Sequence, residues 1–316
     1  MNRILVIGDL LTDRYRFLRP LRSDPANNVA LVVENEREEI VDGGAGNLVR
    51  NLKSLCGEDV HFSYAPGKER PMKIRYYVDD RFILREDRDD VIKHDEEVID
   101  EFVDLIEDND FVIISDYHKG TIEYADIVRI IGSCQELENV TTFADTNHVF
   151  PEHVNVNWLK INLKTAKGCI RSPSLSELNM AKVISEKNNS NVIITKGEDG
   201  FLAFIKELDQ LIVFTKDKNK EFVDAIGAGD TFLAGFVAHL AKHNTGGPYT
   251  GELPALVYAD IVDHLSTSQL GTLDVVTAEV ADKEYKASAT ELITDAKSSI
   301  EEDENTLYVH RTINNL

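Results

Sequence analysis

Residues 224–230 read DAIGAGD and open directly onto the apolar stretch TFLAGFVAHLAKH. Gly227, Ala228 and Gly229 leave room for another group to approach the backbone, and a helix starting there presents amides that lack intrahelical acceptors. Those donors and the helix dipole favour an anion, phosphate above all. Asp230, inside the same cradle, is ill suited to hold the anion. It is well suited to take a proton from a hydroxyl that attacks phosphorus. The competing reading of an isolated aspartate at a helix start is a cap, or a complement to the dipole. The chemistry suggested is phosphoryl transfer to an alcohol.

Such groups need elements to position them. ILVIGD (4–9), FVIISDY (111–117), VTTFADT (140–146), WLKINL (158–163) and NVIITKG (191–197) are short apolar runs with polar ends, the pattern of buried parallel strands. Between them, EEVIDEFVDLIED (96–108) sets Val98, Phe102, Leu105 and Ile106 on one helical face, and TIEYADIVRIIGSC (121–134) behaves alike. The alternation predicts an α/β core with a mainly parallel sheet. Ligands bind such sheets beyond the carboxyl ends of the strands, where Asp9, Asp116, Asp145, Asn162 and Lys196 fall here. VALVVENEREEIV (29–41) and MKIRYYVDDRFILRED (72–87) alternate instead and read as two antiparallel hairpins, the second turning at Asp79-Asp80. Together they predict a small β-flap. From about Ala281 a helix (ATELITDAKSSIEED) and an exposed tail are expected.

The charge balance excludes several partners. Thirty-four Lys and Arg against 56 Asp and Glu leave a formal net charge of −22, which repels nucleic acid and anionic membranes. Cys56, Cys134 and Cys169 form no C-x-x-C, so neither a zinc site nor a disulfide framework is expected. Asp9 interrupts the apolar opening, and no run approaches the ~20 apolar residues of a membrane span, so the expected location is the cytoplasm. There is no GxxxxGK[ST] and no G-x-S-x-G, which removes P-loop and serine-hydrolase readings.

Four glycine-bearing motifs in this order resemble those of the ribokinase-like (pfkB) carbohydrate kinases. DAIGAGD resembles the family's D-T-x-G-A-G-D, GGAGN (43–47) its N-terminal signature, TKGEDG (195–200) its T-x-G-x-x-G nucleotide loop, and STSQLGT (266–272) its adenine-pocket segment. Within the family, GDLLTDRY (8–15), SDYHKGTI (115–122), KIRYYVDDRFILRED (73–87) and GTLDVVT (271–277) are most similar to the heptose 7-phosphate kinases.

The resemblance implies a three-layer α/β sandwich over residues 1–280, with a discontinuous β-flap (lid) from about 16–41 and 72–87, followed by a helix and tail over 281–316. It implies ATP-dependent phosphorylation of a sugar hydroxyl, most specifically the anomeric hydroxyl of a heptose 7-phosphate or related phosphosugar. The alternatives are a catalytically weakened kinase-like protein that binds sugar or nucleotide and acts through interaction, or a kinase of this family for another sugar or nucleoside. Asp230 would be the base, with Gly227, Ala228 and Gly229 as the anion hole. Asp13, Gly43, Gly44 and Asn47 would hold sugar hydroxyls, and Lys73, Arg75 and Arg85 the sugar phosphate. Asn162, Thr165, Thr195, Gly197, Gly200 and Ser268 would line the nucleotide site. Magnesium would arrive with ATP, and Asp224 and Ile226 would supply oxygens to a monovalent cation such as potassium. Unpaired flap edges suggest a homodimer through the flap.

The chain also departs from the pattern. Thr165 stands where the family's N-x-x-E has Glu, and Ala225 replaces the signature Thr. In place of that Glu, Lys160 and Lys164 nearby are expected either to touch phosphate or to be plain surface lysines, and DTNH (145–148) replaces a DPKG-type stretch, which removes a basic residue. A helix-strand unit that the family places before the flap has no counterpart around 61–75. The adenylyl-transfer motif H-x-G-H does not occur, so that reaction is expected from another polypeptide.

Overall fold

A computed structural model describes residues 2–23, 31–57, 60–64, 70–79, 81–89, 96–137, 139–147, 155–170, 175–216, 224–243, 251–298 and 306–310. The chain begins with β1 (Ile4–Gly8) and, after the single break at Asp9, continues into two long strands, β2 (Leu10–Ser23) and β3 (Leu31–Gly44). Helix α1 (Ala45–Cys56), β4 (Val60–Ser63) and the pair β5 (Met72–Val78) and β6 (Arg81–Arg88) follow. The central stretch alternates α2 (Glu96–Asp104), β7 (Phe111–Asp116), α3 (Tyr124–Gln135), β8 (Thr141–Thr146), β9 (Trp158–Asn162), α4 (Leu163–Cys169), α5 (Glu177–Asn188) and β10 (Asn191–Thr195). The rest comprises β11 (Phe201–Ile205), β12 (Gln210–Thr215), α6 (Ala228–His243), α7 (Glu252–Thr267), α8 (Ala278–Ser298) and β13 (Thr306–His310).

The main sheet has nine strands in the order β13-β12-β11-β10-β9-β8-β7-β1-β4, all parallel except at β11. Period-two alternation splits its side chains between two cores. Ile4 and Val6 of β1, with Phe111 and Ile113 of β7, pack against the side built from α1, α6, α7 and α8. Leu5, Ile7, Val112 and Ile114 point the other way, onto α2, α3, α4 and α5. This is the three-layer α/β architecture expected from sequence.

A second sheet of four strands, β3-β2-β5-β6, supplies the flap. Residues 29–41 are not a hairpin by themselves, because β3 pairs along its whole length with β2, a strand that follows β1 directly. The register explains the length: Leu10 is opposite Gly44 and Ser23 opposite Leu31, so the GD-x-x-x-DRY segment is itself flap. Residues 72–88 do form the expected hairpin, with Asp79 in the left-handed region at φ 48°, while Asp80 lies outside the described residues. Among the described residues between edge strand β4 and β5 there is no helix, and residues 65–69 lie outside the described set.

The end of the chain also differs from expectation. Residues 306–310 are not tail but β13, which adds in parallel to β12 and buries Leu307 and Val309. Ala281, Tyr285, Ala289 and Leu292 of α8 join the same core as α6 and α7, so a boundary at 280 would cut through a packed helix. Residues 311–316 lie outside the described set.

Candidate active site

Asp230 stands in the first turn of α6 and is 3% exposed. The left-handed turn at Gly227 (φ 78°) delivers it there. A Cβ on that glycine would fall 2.6 Å from Thr272 Cγ2 and 2.7 Å from Asn47 Nδ2. Asn47 Nδ2 donates to Asp230 Oδ2 at 2.9 Å, and the Tyr117 hydroxyl donates to Oδ1. Both donors favour the carboxylate, as does Lys160, but burial outweighs them and the nearby Asp145 adds to it, so the group is pushed up to about 6. Burial likewise raises the Tyr117 phenol well above its ordinary value, with the Asp230 charge next in effect.

The amides around this carboxylate divide cleanly. Ala228 N–H bonds Ala225 O at 3.2 Å, and Thr231 N–H bonds Gly227 O at 3.0 Å. Among the described residues the N–H groups of Gly229 and Asp230, between them, have no protein acceptor. Asp224, at the start of the motif, accepts from Ile226 N–H at 3.0 Å and from the Tyr77 hydroxyl at 3.4 Å.

Asp9 fixes the opposite wall. Its carboxylate is wholly buried and accepts from the backbone N–H of Tyr117, Lys119 and Thr121 at 2.8, 3.0 and 3.0 Å. Asp116 Oδ1 accepts from His118 N–H at 2.8 Å, which suits the left-handed backbone of His118 (φ 60°). This lacework holds the SDYHKG loop so that Tyr117 reaches Asp230. Sequence reading placed Asp9 and Asp116 at strand ends but assigned Tyr117 no role. The available signal was a ring-bearing residue immediately after a buried strand that ends in Asp.

The flap presents Asp13 to the same region. Arg75 NH1 donates to Asp13 Oδ1 at 2.7 Å, and the Thr272 hydroxyl donates to Oδ2 at 3.2 Å. Thr272 N–H donates to the Tyr15 hydroxyl at 2.9 Å, and the two hydroxyls lie 3.0 Å apart, tying the GT-x-x-V segment to β2. Gly43 lies against Asp13, where a Cβ would come within 2.4 Å of Oδ2. Gly44 (φ 59°) is the turn from β3 into α1, and α1 then carries Asn47 into the site.

The three basic flap residues separate. The pleat sets Lys73 and Arg75 on one face, with Arg85 the cross-strand neighbour of Arg75. Arg75 is buried and paired through NH1 with Asp13, its Nε buried without a hydrogen-bond partner among the described residues, while Arg85 is exposed and bound twice by Asp87, at 2.8 Å each. Lys73 alone of the three faces the site, its ammonium 5.3 Å from the centre of the Tyr117 ring. Burial lowers its basicity, partly offset by Asp13.

Residues expected along the nucleotide have structural duties of their own. Asn162 caps α4 by accepting from Thr165 N–H at 2.8 Å, Thr195 Oγ1 lies 3.5 Å from Ile161 O, and Ser268 Oγ donates to His264 O at 3.1 Å. Gly197 (φ 62°) and Gly200 (φ 94°) form the tight turn between β10 and β11, where a Cβ on Gly200 would lie 2.0 Å from Phe214 O. His148, in the departing DTNH stretch, lies outside the described residues, whereas Asn147, where a basic residue was expected, contacts Asn162.

With this geometry in hand, comparison with known proteins is specific. The model of the pfkB family carbohydrate kinases matches residues 78–250, more than half of the chain. The chain belongs to that family. It is therefore a sugar kinase, a phosphotransferase with an alcohol as acceptor. Among curated relatives, the bifunctional protein HldE of Nitratiruptor is 27% identical over 93% of this chain, and that of Campylobacter jejuni (serotype O:6) 28% identical over 73%. The chain spans 68% and 55% of those relatives' own lengths. Phosphofructokinase-2 from Escherichia coli in complex with fructose-6-phosphate superposes with a TM-score of 0.71 at 14% identity, covering 92% of this chain and 100% of that one. Arabidopsis thaliana ribokinase, complexed with ribose and ATP, gives 0.66 at 12% identity, over 90% and 99%. These structures establish the ribokinase-like fold. Among the described residues no helix is long and apolar enough to cross a membrane.

Proposed function

We propose that this kinase transfers the γ-phosphoryl group of ATP to a hydroxyl of an already phosphorylated sugar, most specifically the anomeric hydroxyl of a heptose 7-phosphate. One observation carries the reading: a buried carboxylate, Asp230, sits beside two amides at a helix start that have no protein acceptor among the described residues. In the step, the sugar oxygen bonds to the γ-phosphorus, its proton passes to Asp230, and the bond to the β-phosphate oxygen breaks to leave ADP. Charge on the phosphoryl oxygens grows where the Gly229 and Asp230 amides point, which is where fixed dipoles lower the barrier. Asn47 and Tyr117 hold the carboxylate for attack, Asp13 and Asn47 border the sugar, and Lys73 is the flap cation that faces it. Arg75 acts through Asp13, and Arg85 at the rim. The relatives called HldE support the heptose reading, at modest identity.

Magnesium, when bound with the nucleotide, neutralises phosphate charge. Its ligands would be mainly the nucleotide's phosphates and water. Potassium at Asp224 and Ile226 would share a carboxylate already accepting from Ile226 and Tyr77. A second copy of the chain is proposed to cover the flap, because Ile40, Phe82, Ile83 and Leu84 are each at least half exposed on it and β6 is an unpaired edge.

The test is a coupled ADP-release screen over heptose 7-phosphate, fructose and ribose phosphates, free hexoses and nucleosides. Turnover with heptose 7-phosphate far above the others is expected. Turnover confined to another sugar would remove the heptose reading, and thermal shifts without any turnover would remove catalysis.

A further inference from the structure

Strand β9 carries a residue that a buried strand would not select for packing. Its neighbours Trp158, Leu159 and Ile161 are buried hydrophobics, yet Lys160 between them is only 5% exposed. Alternation puts Lys160 on the same face as Trp158, which packs against α6. Taking an ammonium out of water costs several kcal/mol unless it is paired and its donors are used. Asp145, its register neighbour on β8, accepts one hydrogen bond at 2.6 Å. An ammonium has three donors, and among the described residues no second acceptor lies within reach of Lys160.

The spare donors have a direction. Lys160 Nζ lies 3.2 Å from where a Cβ on Gly229 would stand, so any other residue at 229 would crowd the ammonium. It therefore lies against the turn whose Gly229 and Asp230 amides also lack an acceptor. Its charge also lowers the proton affinity of Asp230, the carboxylate in that turn. Amides and ammonium thus lie beside one another, and what they share is unfilled capacity for an anionic oxygen.

We propose that Lys160 completes the anion cradle, its ammonium holding a non-bridging oxygen of the transferring γ-phosphoryl group against the Gly229 and Asp230 amides. The inference rests on the kinase reading and adds to it a side-chain cation that the glycine motif does not contain. Asp145 keeps the lysine charged and aimed while the site is open, and shares it with phosphate when the site is filled. A lysine serving only to pair with Asp145 would have no bearing on which nucleotide binds.

That difference is measurable without turnover, by calorimetric titration with AMP-PNP and with ADP in magnesium. Lys160→Met/Asp145→Asn removes both charges, so neither is stranded in the core. The double variant should lose about tenfold or more in AMP-PNP affinity, the scale of one charge-assisted hydrogen bond, with ADP affinity unchanged. Lys160→Arg, which retains the charge, should recover part of that loss. Equal AMP-PNP affinity in wild type and double variant, or equal losses for AMP-PNP and ADP, would overturn the proposal while leaving the kinase reading in place. A wild-type chain that binds neither nucleotide would remove both.

Discussion

Buried charge is handled in opposite ways on the two walls of the site. On the flap, Asp13 and Arg75 are paired with one another, with Thr272 on the second carboxylate oxygen, and Arg85 is closed off by Asp87. On the wall formed by the main sheet and α6, Lys160 keeps donors in reserve and the Gly229 and Asp230 amides go without protein acceptors. Desolvation acts on both walls, and the flap too keeps a buried donor without an acceptor, Arg75 Nε, but on the second wall the spare donors of Lys160 and Gly229 lie side by side next to Asp230. The contrast teaches that charge alone does not mark chemistry. A charge paired across two strands positions them, and spare donors gathered beside a buried carboxylate are where a ligand fits.

The sharpest way to break the contrast is to remove one member of a matched pair. Arg75→Met should strand Asp13 in a buried setting and cost about 3–5 kcal/mol of folding stability, read from urea unfolding. A loss below about 1 kcal/mol would mean that the pair is not the flap's anchor. Next in size is Tyr117→Phe, which leaves the carboxylate in place but takes away one of its two donors. Asp230 must be ionised to act as a base, so the wild-type rate should fall as pH falls through about 6. Without the Tyr117 hydroxyl the ionised form is less favoured, so that limb should move to higher pH in a pH–rate profile. An unmoved limb with a merely lower plateau would assign Tyr117 to packing instead. The smallest effect belongs to Arg85→Ala. Its pair with Asp87 is half exposed, and exposed pairs contribute about 0–1 kcal/mol, so the unfolding midpoint should barely change.

Much of this layout was readable in the sequence because it obeys local rules. Apolar runs that end in polar residues gave the parallel strands, and DAIGAGD gave the helix start with its carboxylate, because strand period and glycine tolerance are properties of neighbouring residues. Long-range pairing was not readable. The partner of β3 is β2, the strand before it in sequence, and the alternating segment 29–41 carries no mark of whether it folds on itself. β13 looked like tail because a five-residue strand, TLYVH, declares itself only when an edge such as β12 is available. Arg75 looked like a phosphate ligand because basic residues at alternate positions are the same letters whether they face a ligand or a buried aspartate. Sequence offered Lys160 and Lys164 alike as phosphate contacts or surface lysines, and that Lys160 is the one lying against Gly229 is a fact of tertiary structure.

The central claim is that Asp230 takes the proton in a cradle of amides, and Asp230→Asn tests it most directly. With ATP and the accepted sugar saturating, ADP release should drop by about 10²–10⁴-fold while AMP-PNP affinity stays near that of the wild type. Turnover within tenfold of the wild type would contradict the account.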